Sequence, residues 1–492
     1  MSYAAAVDHL YALGHELAPT PSSAPRRKFD LDHMRVLAAA LGDPQATFPS
    51  VLIAGTNGKG STAATLASIL TAAGYRTGLY TSPHLVRVNE RIQIDGAEIP
   101  DEDFARLYFQ VDETAGRLVE AGDLPHPPSF FEVLTALAFL YFAGKGPGEA
   151  MPVDIAILEV GLGGRLDATN IVDPLLSIIT DIALDHQDYL GDTIAEISRE
   201  KAGILRRNGT LVTLPQHPEA NQAIGEVAAE LNLRAVSAAG FIPHLPPRSS
   251  QHPAADAVNL IEAQWGGAQP LPANHYIVTL DGEPLEIDSP LIGQHQQRNI
   301  ALAVAAASEL RNQKSYKQTE IESTGNYSSY KITNAAIEEG IRNTTWPGRL
   351  EVIAFSEGPS LLLDVAHNPA GAWALRAAIS QLPEARPRTL IFSCLRDKNL
   401  SEMSQILFPL FDSSSPERNR DHILFAPIDN PRAAGLEELL AAAHALDIPA
   451  YAASHPTAAL ARARIVTPPE GLIIATGSVY LVGEIRHYAV QG

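Results

Sequence analysis

Cysteine is almost absent from this sequence. Cys394 is the single cysteine among 492 residues, so the chain cannot form an internal disulfide bond. Disulfides accumulate in secreted proteins and are rare where glutathione keeps thiols reduced. The shortage of cysteine therefore predicts a cytoplasmic protein.

Long apolar runs are missing as well. The nearest uncharged apolar run, residues 133–143, is too short to cross a bilayer. Residues 1–17 carry Asp8, His9 and Glu16 within an apolar pattern and have no basic leading segment, which is not the pattern of a signal peptide. We expect no membrane partner.

Positive charge is scarce too. Lys and Arg number 36 against 56 Asp and Glu, which gives a formal net charge of −20. A nucleic-acid surface needs clustered Lys and Arg to neutralise phosphates, so we do not expect a nucleic-acid partner. A local pocket can still hold a small anion. We therefore expect small-molecule substrates. We also expect the protein to be a monomer.

The length and the order of apolar segments indicate the fold class. Buried strands predicted at 51–54, 154–160 and 175–180 alternate with helical patterns, which is typical of a doubly wound parallel α/β sheet. We place this domain at 1–343, with exposed insertions at 240–273 and 313–333 because of their Pro-, Ser- and Asn-rich composition. A second run of strands and helices predicts a smaller Rossmann-like α/β domain at 346–492.

The stretch VLIAGTNGKGS at 51–61 organises the first domain. An apolar strand breaks at Gly55, continues through Gly58, Lys59 and Gly60, and restarts as a helix near Ser61. Backbone N–H groups at a helix N-terminus suit a phosphate, lysine adds a mobile charge, and the serine hydroxyl suits magnesium. The spacing differs from the strict Walker A motif, and the alternative is a plain glycine-rich corner. The order of parts favours a phosphate loop.

Polar residues follow the neighbouring strands of the same sheet. Ser82 and Glu159 stand at predicted strand C-termini, where ligands of parallel sheets bind. Glu159 beside a phosphate loop predicts a metal ligand, with a helix cap or a solvent-facing acid as the alternative. His186 in DHQD is a candidate second ligand, although a turn histidine with a hydrogen bond would look the same.

Lysine 201 has two interpretations. Local sequence alone favours a surface lysine whose apolar stem covers its neighbours. A buried lysine could instead react with carbon dioxide to form a carbamate and so become an anionic metal ligand.

The second domain contributes its own polar strand end. Asp364 and His367 in DVAHNP close a predicted strand, where they could hold a ribose hydroxyl and a substrate amine or carboxylate. Asn299, which begins an Ala-rich helix, could contact an adenine edge, although by itself it is also a helix cap.

Together these segments resemble the folylpolyglutamate synthase/dihydrofolate synthase family of the Mur ligase superfamily. The matching strings cover nearly the whole chain. They are GTNGKGS (55–61), TSPHL (81–85), FFE (130–132), EVGLGGRLDATN (159–170), DHQDYLG (185–191), SREKAGI (198–204), GQHQQRN (293–299), WPGRLE (346–351), DVAHNP (364–369) and GSVYLVGEIR (477–486).

The resemblance implies an ATP-dependent ligation of L-glutamate to a folate or dihydropteroate carboxylate through an acyl phosphate. It implies ATP and magnesium, with two ions expected, as cofactors, and a carbamylated Lys201, against the local interpretation. The implied ATP contacts are Thr56, Asn57, Gly58, Lys59, Gly60, Ser61, Asn299, Arg349 and Asp364. The implied metal ligands are Ser82, Glu159, His186 and Lys201. The resemblance further implies catalytic roles for Lys59, Lys201 and His367, and substrate contacts at Phe130, Phe131, His367 and Ser478.

Two other functions stay open from the residues. One is a Mur-type amino-acid ligase on another carboxylate, although such enzymes usually carry a further N-terminal domain. The other is a nucleotide-gated regulatory protein that hydrolyses ATP without ligation, which would not need Asp364 and His367.

Overall fold

The computed structural model describes residues 2–14, 31–145, 151–243, 274–312, 330–384, 386–414 and 418–491. The chain divides into two compact units. One comprises the described parts of 1–242, 277–287 and 298–344, and the other those of 243–276, 288–297 and 345–492. The predicted insertions 240–273 and 313–333 lie outside the described residues, except for 240–243 and 330–333.

The first unit is built on an eight-stranded sheet of order β4-β3-β2-β5-β1-β6-β7-β8. Its strands are β1 (Ser50–Ala54), β2 (Thr77–Tyr80), β3 (Ile92–Ile94), β4 (Ala97–Glu98), β5 (Ile155–Glu159), β6 (Leu176–Ile179), β7 (Thr210–Thr213) and β8 (Arg234–Ser237). The six strands from β2 to β8 pair in parallel, and β3 and β4 form an antiparallel edge.

Helices cover this sheet because parallel strands are joined by helical crossovers. They are α1 (Tyr3–Ala12), α2 (Leu31–Ala40), α3 (Lys59–Ala72), α4 (Asp101–Ala121), α5 (Phe130–Phe142), α6 (Gln187–Leu190), α7 (Ile194–Ala202), α8 (Pro218–Glu230) and α10 (Asn334–Arg342). The central strands β1 and β5 are buried along their whole length, as both-sided coverage requires.

A hairpin and a helix each have residues in both units. The hairpin is β9 (Asn274–Leu280) and β10 (Glu283–Ser289), and the helix is α9 (Gln294–Asn312). The hairpin turns at Asp281 and Gly282, which have φ of 52° and 85° and so meet the positive-φ requirement of a two-residue turn. An Asp-Gly dipeptide between two strands is typical of such a turn.

The second unit has a six-stranded sheet of order β11-β12-β16-β13-β14-β15, parallel except for β11. Its strands are β11 (Glu351–Ile353), β12 (Ser360–Leu363), β13 (Arg388–Phe392), β14 (His422–Phe425), β15 (Tyr451–Ala452) and β16 (Leu472–Thr476). Its helices are α11 (Pro369–Ile379), α12 (Leu400–Leu407), α13 (Leu436–His444), α14 (Pro456–Val466) and α15 (Val479–Gln491).

The predicted fold class is confirmed: a large parallel-sheet unit is followed by a smaller α/β unit. Within the described residues, no helix is long and apolar enough to cross a membrane. Cys394 is buried, and burial raises the pKa of its thiol to about 12, so the thiol stays protonated and inert at neutral pH.

Candidate active site

The phosphate loop lies where the sequence places it, between β1 and α3. β1 ends at Ala54, and α3 begins at Lys59 with Gly58 as its N-cap. Strand β1 is central in the sheet, between β5 and β6, so the loop stands at the carboxyl edge with polar strand ends on both sides. The first turn of α3 presents the N–H groups of Lys59, Gly60 and Ser61, which have no i−4 carbonyl within the helix.

The start of the loop is held from the neighbouring strand. The main-chain N–H groups of Thr56 and Asn57 donate to the Asp181 carbonyl at 2.8 and 3.1 Å, and the Thr180 hydroxyl donates to the Asn57 carbonyl at 2.7 Å. These N–H groups therefore shape the loop. The predicted ATP contacts at Thr56 and Asn57 stay predictions.

Gly58 allows no side chain. Its φ is 86°, and a Cβ would lie 2.1 Å from Asn299 Oδ1. Asn299 is buried near the start of α9, and its carbonyl accepts a long hydrogen bond from the Thr62 hydroxyl. The predicted ATP contact Asn299 thus lies beside the phosphate loop.

Two lysines point at the same loop carbonyl. Lys59 Nζ donates to the main-chain oxygens of Gly55 and Thr56 at 3.1 and 3.2 Å, and Lys201 Nζ donates to Gly55 at 2.8 Å. Lys201 is only 4% exposed. The local interpretation of Lys201 as a surface lysine is therefore wrong: on α7 it faces the sheet, and its amine lies at the phosphate loop.

Glu159 and Ser82 come together at the ends of neighbouring strands. Glu159 is the last residue of β5, is buried, and its Oε2 accepts the Ser82 main-chain N–H at 3.1 Å. Glu159 also pairs in register with Ile53 of β1, directly before the phosphate loop. The two predicted metal ligands thus stand beside the loop.

His186 lies on the other side of the loop, after β6. Its backbone is left-handed, with φ of 50°, and its main-chain N–H donates to Asp185 Oδ1 at 2.9 Å. Its Nε2 is 3.8 Å from the same carboxylate oxygen. Within the described residues, no group of three or more His, Cys, Asp and Glu side chains forms a metal-binding cluster.

The glycine-rich loop after Glu159 is held by Asp167, which the sequence analysis did not single out. Its Oδ2 accepts the N–H groups of Gly161 and Leu162, and its Oδ1 accepts both the N–H and the hydroxyl of Thr169. Burial raises the pKa of Asp167 in spite of these four donors. Asp167 therefore shapes this loop.

The two phenylalanines of FFE begin α5. Phe130 is buried under the Arg91 guanidinium, which lies 5.3 Å from the ring centroid. A Cβ on Gly161 would lie 2.6 Å from the Phe131 ring, so the FFE segment packs against the glycine-rich loop. Their predicted role in substrate binding stays a prediction.

Arg91 also contacts a half-buried histidine of the TSPHL segment. Arg91 Nε donates to His84 Nδ1 at 2.8 Å, and His84 Nε2 lies 3.1 Å from the Tyr11 hydroxyl. Because arginine only donates, the His84 proton is on Nε2. Burial, with the Arg91 charge, lowers the pKa of His84 well below its usual value, so this ring is neutral.

In the second unit, Asp364 directly follows β12 and holds the WPGRLE turn. Its oxygens accept the N–H groups of Leu350 and Ala366 at 3.0 and 2.9 Å. Burial raises the pKa of Asp364, and the charges of His295 and Arg349 oppose that rise. Leu350 has φ of 49°, a strained conformation for leucine, which often marks a functional turn.

Other predicted residues of this unit stand at the carboxyl ends of its parallel strands. His367 Nδ1 lies 2.9 Å from the Val365 carbonyl, which only accepts, so Nδ1 carries a proton. Ser478 is buried after β16, and its hydroxyl accepts the Tyr480 N–H as a helix cap. Lys398, which the sequence analysis did not single out, is buried in the segment that follows β13.

The structure thus gathers two sets of predicted residues, one in each unit. The first surrounds the phosphate loop with two ammonium groups, a buried carboxylate and the Asn299 amide. The second lines the carboxyl edge of the smaller sheet around Asp364, with Arg349 on the turn that Asp364 holds. The first set can bind phosphates and a divalent cation, and the second offers a carboxylate, a guanidinium, an imidazole and a hydroxyl.

Comparisons with known proteins find family domains in both parts of the chain. Residues 149–307 match the Mur ligase middle domain, and residues 348–479 match the glutamate ligase domain of Mur ligases. The chain is 34% identical to the Bacillus subtilis dihydrofolate synthase/folylpolyglutamate synthase over 93% of its length and 94% of that protein. It is also 34% identical to the Lacticaseibacillus casei folylpolyglutamate synthase, over 96% of its length and 97% of that protein.

Solved structures give the same result. A Mycobacterium tuberculosis folylpolyglutamate synthase complexed with ADP and AMPPCP superposes with a TM-score of 0.78 at 28% identity, covering 99% of each chain. An Escherichia coli protein in complex with DHPP and ADP superposes with a TM-score of 0.75 at 27% identity, covering 100% of this chain and 98% of that one.

Proposed function

The chain belongs to the folylpolyglutamate synthase/dihydrofolate synthase family of the Mur ligase superfamily, and from that premise we propose that it joins L-glutamate to a folate or dihydropteroate carboxylate at the expense of ATP. As a member of this family it is an ATP-dependent ligase. The observation that carries the proposal is the phosphate loop with Lys59, Lys201 and Glu159 converging on it.

The reaction has two steps. A carboxylate oxygen of the acceptor attacks the γ-phosphorus of ATP, the bond to ADP breaks, and an acyl phosphate forms. The glutamate amine then attacks the acyl carbon, loses a proton, and inorganic phosphate leaves as the amide forms. The activation is necessary because a carboxylate oxygen is a poor leaving group, whereas phosphate is a good one.

The phosphate loop serves the first step by positioning and by charge. The N–H groups of the first turn of α3 and the ammonium of Lys59 offer donors to the β- and γ-phosphates. Lys59 bonds main-chain oxygens of its own loop, and a bound phosphate would replace these neutral acceptors with an anion.

The residues at the loop fit magnesium. Magnesium keeps several waters and binds through one or two carboxylates and substrate phosphates, so it does not need a cage of three acidic side chains. Glu159 and Ser82 offer oxygen donors next to the loop, and a carbamate on Lys201 would add another. When bound, magnesium would neutralise the phosphate charge that builds up during transfer. We propose two ions, with His186 near the second.

The second unit is proposed to present glutamate and to support the nucleotide. Arg349 offers a guanidinium for phosphate, and Asp364 rigidly holds the turn that carries Arg349. His367, with Nδ1 directed to a carbonyl, offers Nε2 for glutamate or phosphate. We further propose that the chain works as a monomer and that it is located in the cytoplasm. Light scattering of the purified protein would test whether it is a monomer.

The test is ADP release measured with each substrate omitted in turn. We expect ADP to form only when ATP, L-glutamate and an acceptor are all present, with dihydropteroate and tetrahydrofolate compared side by side. An acceptor labelled with ¹⁸O in its carboxylate should transfer one label to inorganic phosphate. Steady ADP release without any acceptor would refute ligation, and unlabelled phosphate would refute the acyl phosphate.

A further inference from the structure

Arg298 makes an ion pair with Asp181 beside the phosphate loop. On α9, its Nε lies 3.0 and 2.9 Å from the two carboxylate oxygens of Asp181, and its Nη2 lies 2.5 Å from Oδ1. Nη2 also donates to the Pro215 carbonyl at 3.0 Å. One guanidinium therefore joins α9, the segment after β6 and the segment after β7.

The partner of Arg298 is the residue that shapes the loop. The Asp181 carbonyl accepts the N–H groups of both Thr56 and Asn57, so the start of the loop follows the position of the Asp181 backbone. Asp181 lies after the end of β6, and the hydrogen bonds of Arg298 to its carboxylate can fix the position of its backbone. The path from guanidinium to loop is a chain of direct hydrogen bonds.

The next residue of α9 touches the loop from a second direction. Asn299 Oδ1 lies against Gly58, at the point where the loop turns into α3. Residues 298 and 299 thus contact the loop at its start, through Asp181, and at its end, directly. A shift of α9 at this point would move both.

We propose that Arg298 is a positioning residue for nucleotide binding, which acts through Asp181 on the phosphate loop. This inference rests on the proposed function, because it takes the loop as the nucleotide site. The pair is not a large stabilising element: its side chains are 30% and 37% exposed, and ion pairs in such positions add little to stability. Its contribution is geometric, since a bidentate guanidinium fixes direction as well as distance.

The variants Arg298→Gln and Asp181→Asn test this. We expect each to raise the Kd for ADP and the KM for ATP roughly tenfold, the loss expected for a charge-assisted hydrogen bond, with a smaller change in kcat. The double variant should be no worse than either single, because both remove the same link. Arg298→Lys keeps the positive charge and loses the bidentate geometry of the guanidinium. Its Kd for ADP should therefore lie between those of the wild type and Arg298→Gln.

The matched control is Arg199→Gln. Arg199 pairs with Glu226 across α7 and α8 in the same unit, with side chains 53% and 49% exposed. This variant should leave the ADP affinity unchanged. The inference is overturned if Arg298→Gln and Asp181→Asn bind ADP like the control, if their losses add in the double variant, or if the unfolding temperature falls while ADP affinity does not.

Failure of the proposed function would look different. ADP binding is measured by calorimetry on the whole protein and needs no acceptor or glutamate. Weakened ADP binding in the variants of a chain that shows no glutamate-dependent turnover would uphold the positioning role and refute ligation. Full turnover with unchanged ADP affinity in the variants would refute the positioning role alone.

Discussion

Lys59 and Lys201 donate to the same acceptor, the main-chain oxygen of Gly55, at 3.1 and 2.8 Å. One lysine belongs to the phosphate loop, and the other lies on α7, 146 positions from Gly55. Two cations that share one neutral oxygen repel each other, and the nearby Glu159 carboxylate or an anionic ligand would relieve that repulsion. The arrangement is suited to bind an anion.

Lysine 201 can be tested by truncation. Lys201→Ala should lower the rate of glutamate-dependent ADP release by about 100-fold, similar to the loss when one electrostatic donor is removed from an active site. If the working group is a carbamate, short carboxylic acids should restore part of the rate. The control is Lys145→Ala, at an exposed position. Wild-type turnover in Lys201→Ala would refute its catalytic role.

Glutamate 159 should be needed for turnover and not for folding. Glu159→Gln keeps the shape and can still accept from the Ser82 N–H, but it loses the charge that a cation needs. We expect about 100-fold slower ADP release across a magnesium titration. The variant should still unfold in one cooperative transition, which would show that the fold survives the loss of the charge. Retained magnesium-dependent turnover would contradict the metal assignment.

Glycine 58 should tolerate no side chain, for two separable reasons. Gly58→Ala places a Cβ in a left-handed backbone and against Asn299. Gly74, at the other end of α3, has a similar φ of 88° with nothing within 4 Å of a Cβ. Gly74→Ala should cost about 1 kcal/mol of stability from backbone strain alone. Gly58→Ala should cost more and should also weaken ADP binding. Equal losses in both variants would argue against the steric role of Asn299.

Asp364 should make stability depend on pH. Burial raises its pKa in the folded state, so the folded chain holds this proton more tightly than the unfolded chain does. The stability that comes from holding this proton is fully present below the pKa of the unfolded chain, about 3.9. It is lost as the pH rises through the pKa of the folded chain. Asp364→Asn stays neutral throughout.

The measurement is the unfolding temperature of both proteins from about pH 4 upward. Asp364→Asn should lose some stability at every pH, because an amide has one acceptor oxygen for the two N–H donors of Leu350 and Ala366. As the pH rises, the unfolding temperature of the wild type should fall relative to that of Asp364→Asn. A difference that stays level, or that moves in favour of the wild type, would contradict the raised pKa.

The fold could be predicted in large part because its signals are local. Buried strands such as β1 and β5 read as continuous apolar runs, and the Asp281-Gly282 turn demands positive φ. The short strand β15 and the Ala-rich helix α14 give weaker signals, because two residues carry no periodicity and α14 has little amphipathic contrast. The ends of the three strands predicted in the first domain were accurate to about one residue.

The site was predicted less completely, because its partners are distant in the chain. The burial of Lys201 depends on which face of α7 meets the sheet, and the local pattern pointed to the surface. The hydrogen bond between Arg298 and Asp181 spans 117 positions, and neither residue stood out from its surroundings. Asp167 was part of a recognised string, but its four donors come from a loop that only the folded chain closes.

The sequence alone was enough for the strand–loop–helix order around Gly58 and Lys59 and for the two α/β units. These features follow from backbone dihedral preferences and apolar periodicity, which neighbouring residues decide. The expected reaction came from the resemblance of the motifs to a known family. Tertiary structure alone decided that Lys201 reaches Gly55, that Glu159 meets Ser82, and that Arg298 reaches the loop through Asp181. These contacts depend on strand order, because β5 and β6 are brought to either side of β1 only when the whole sheet forms.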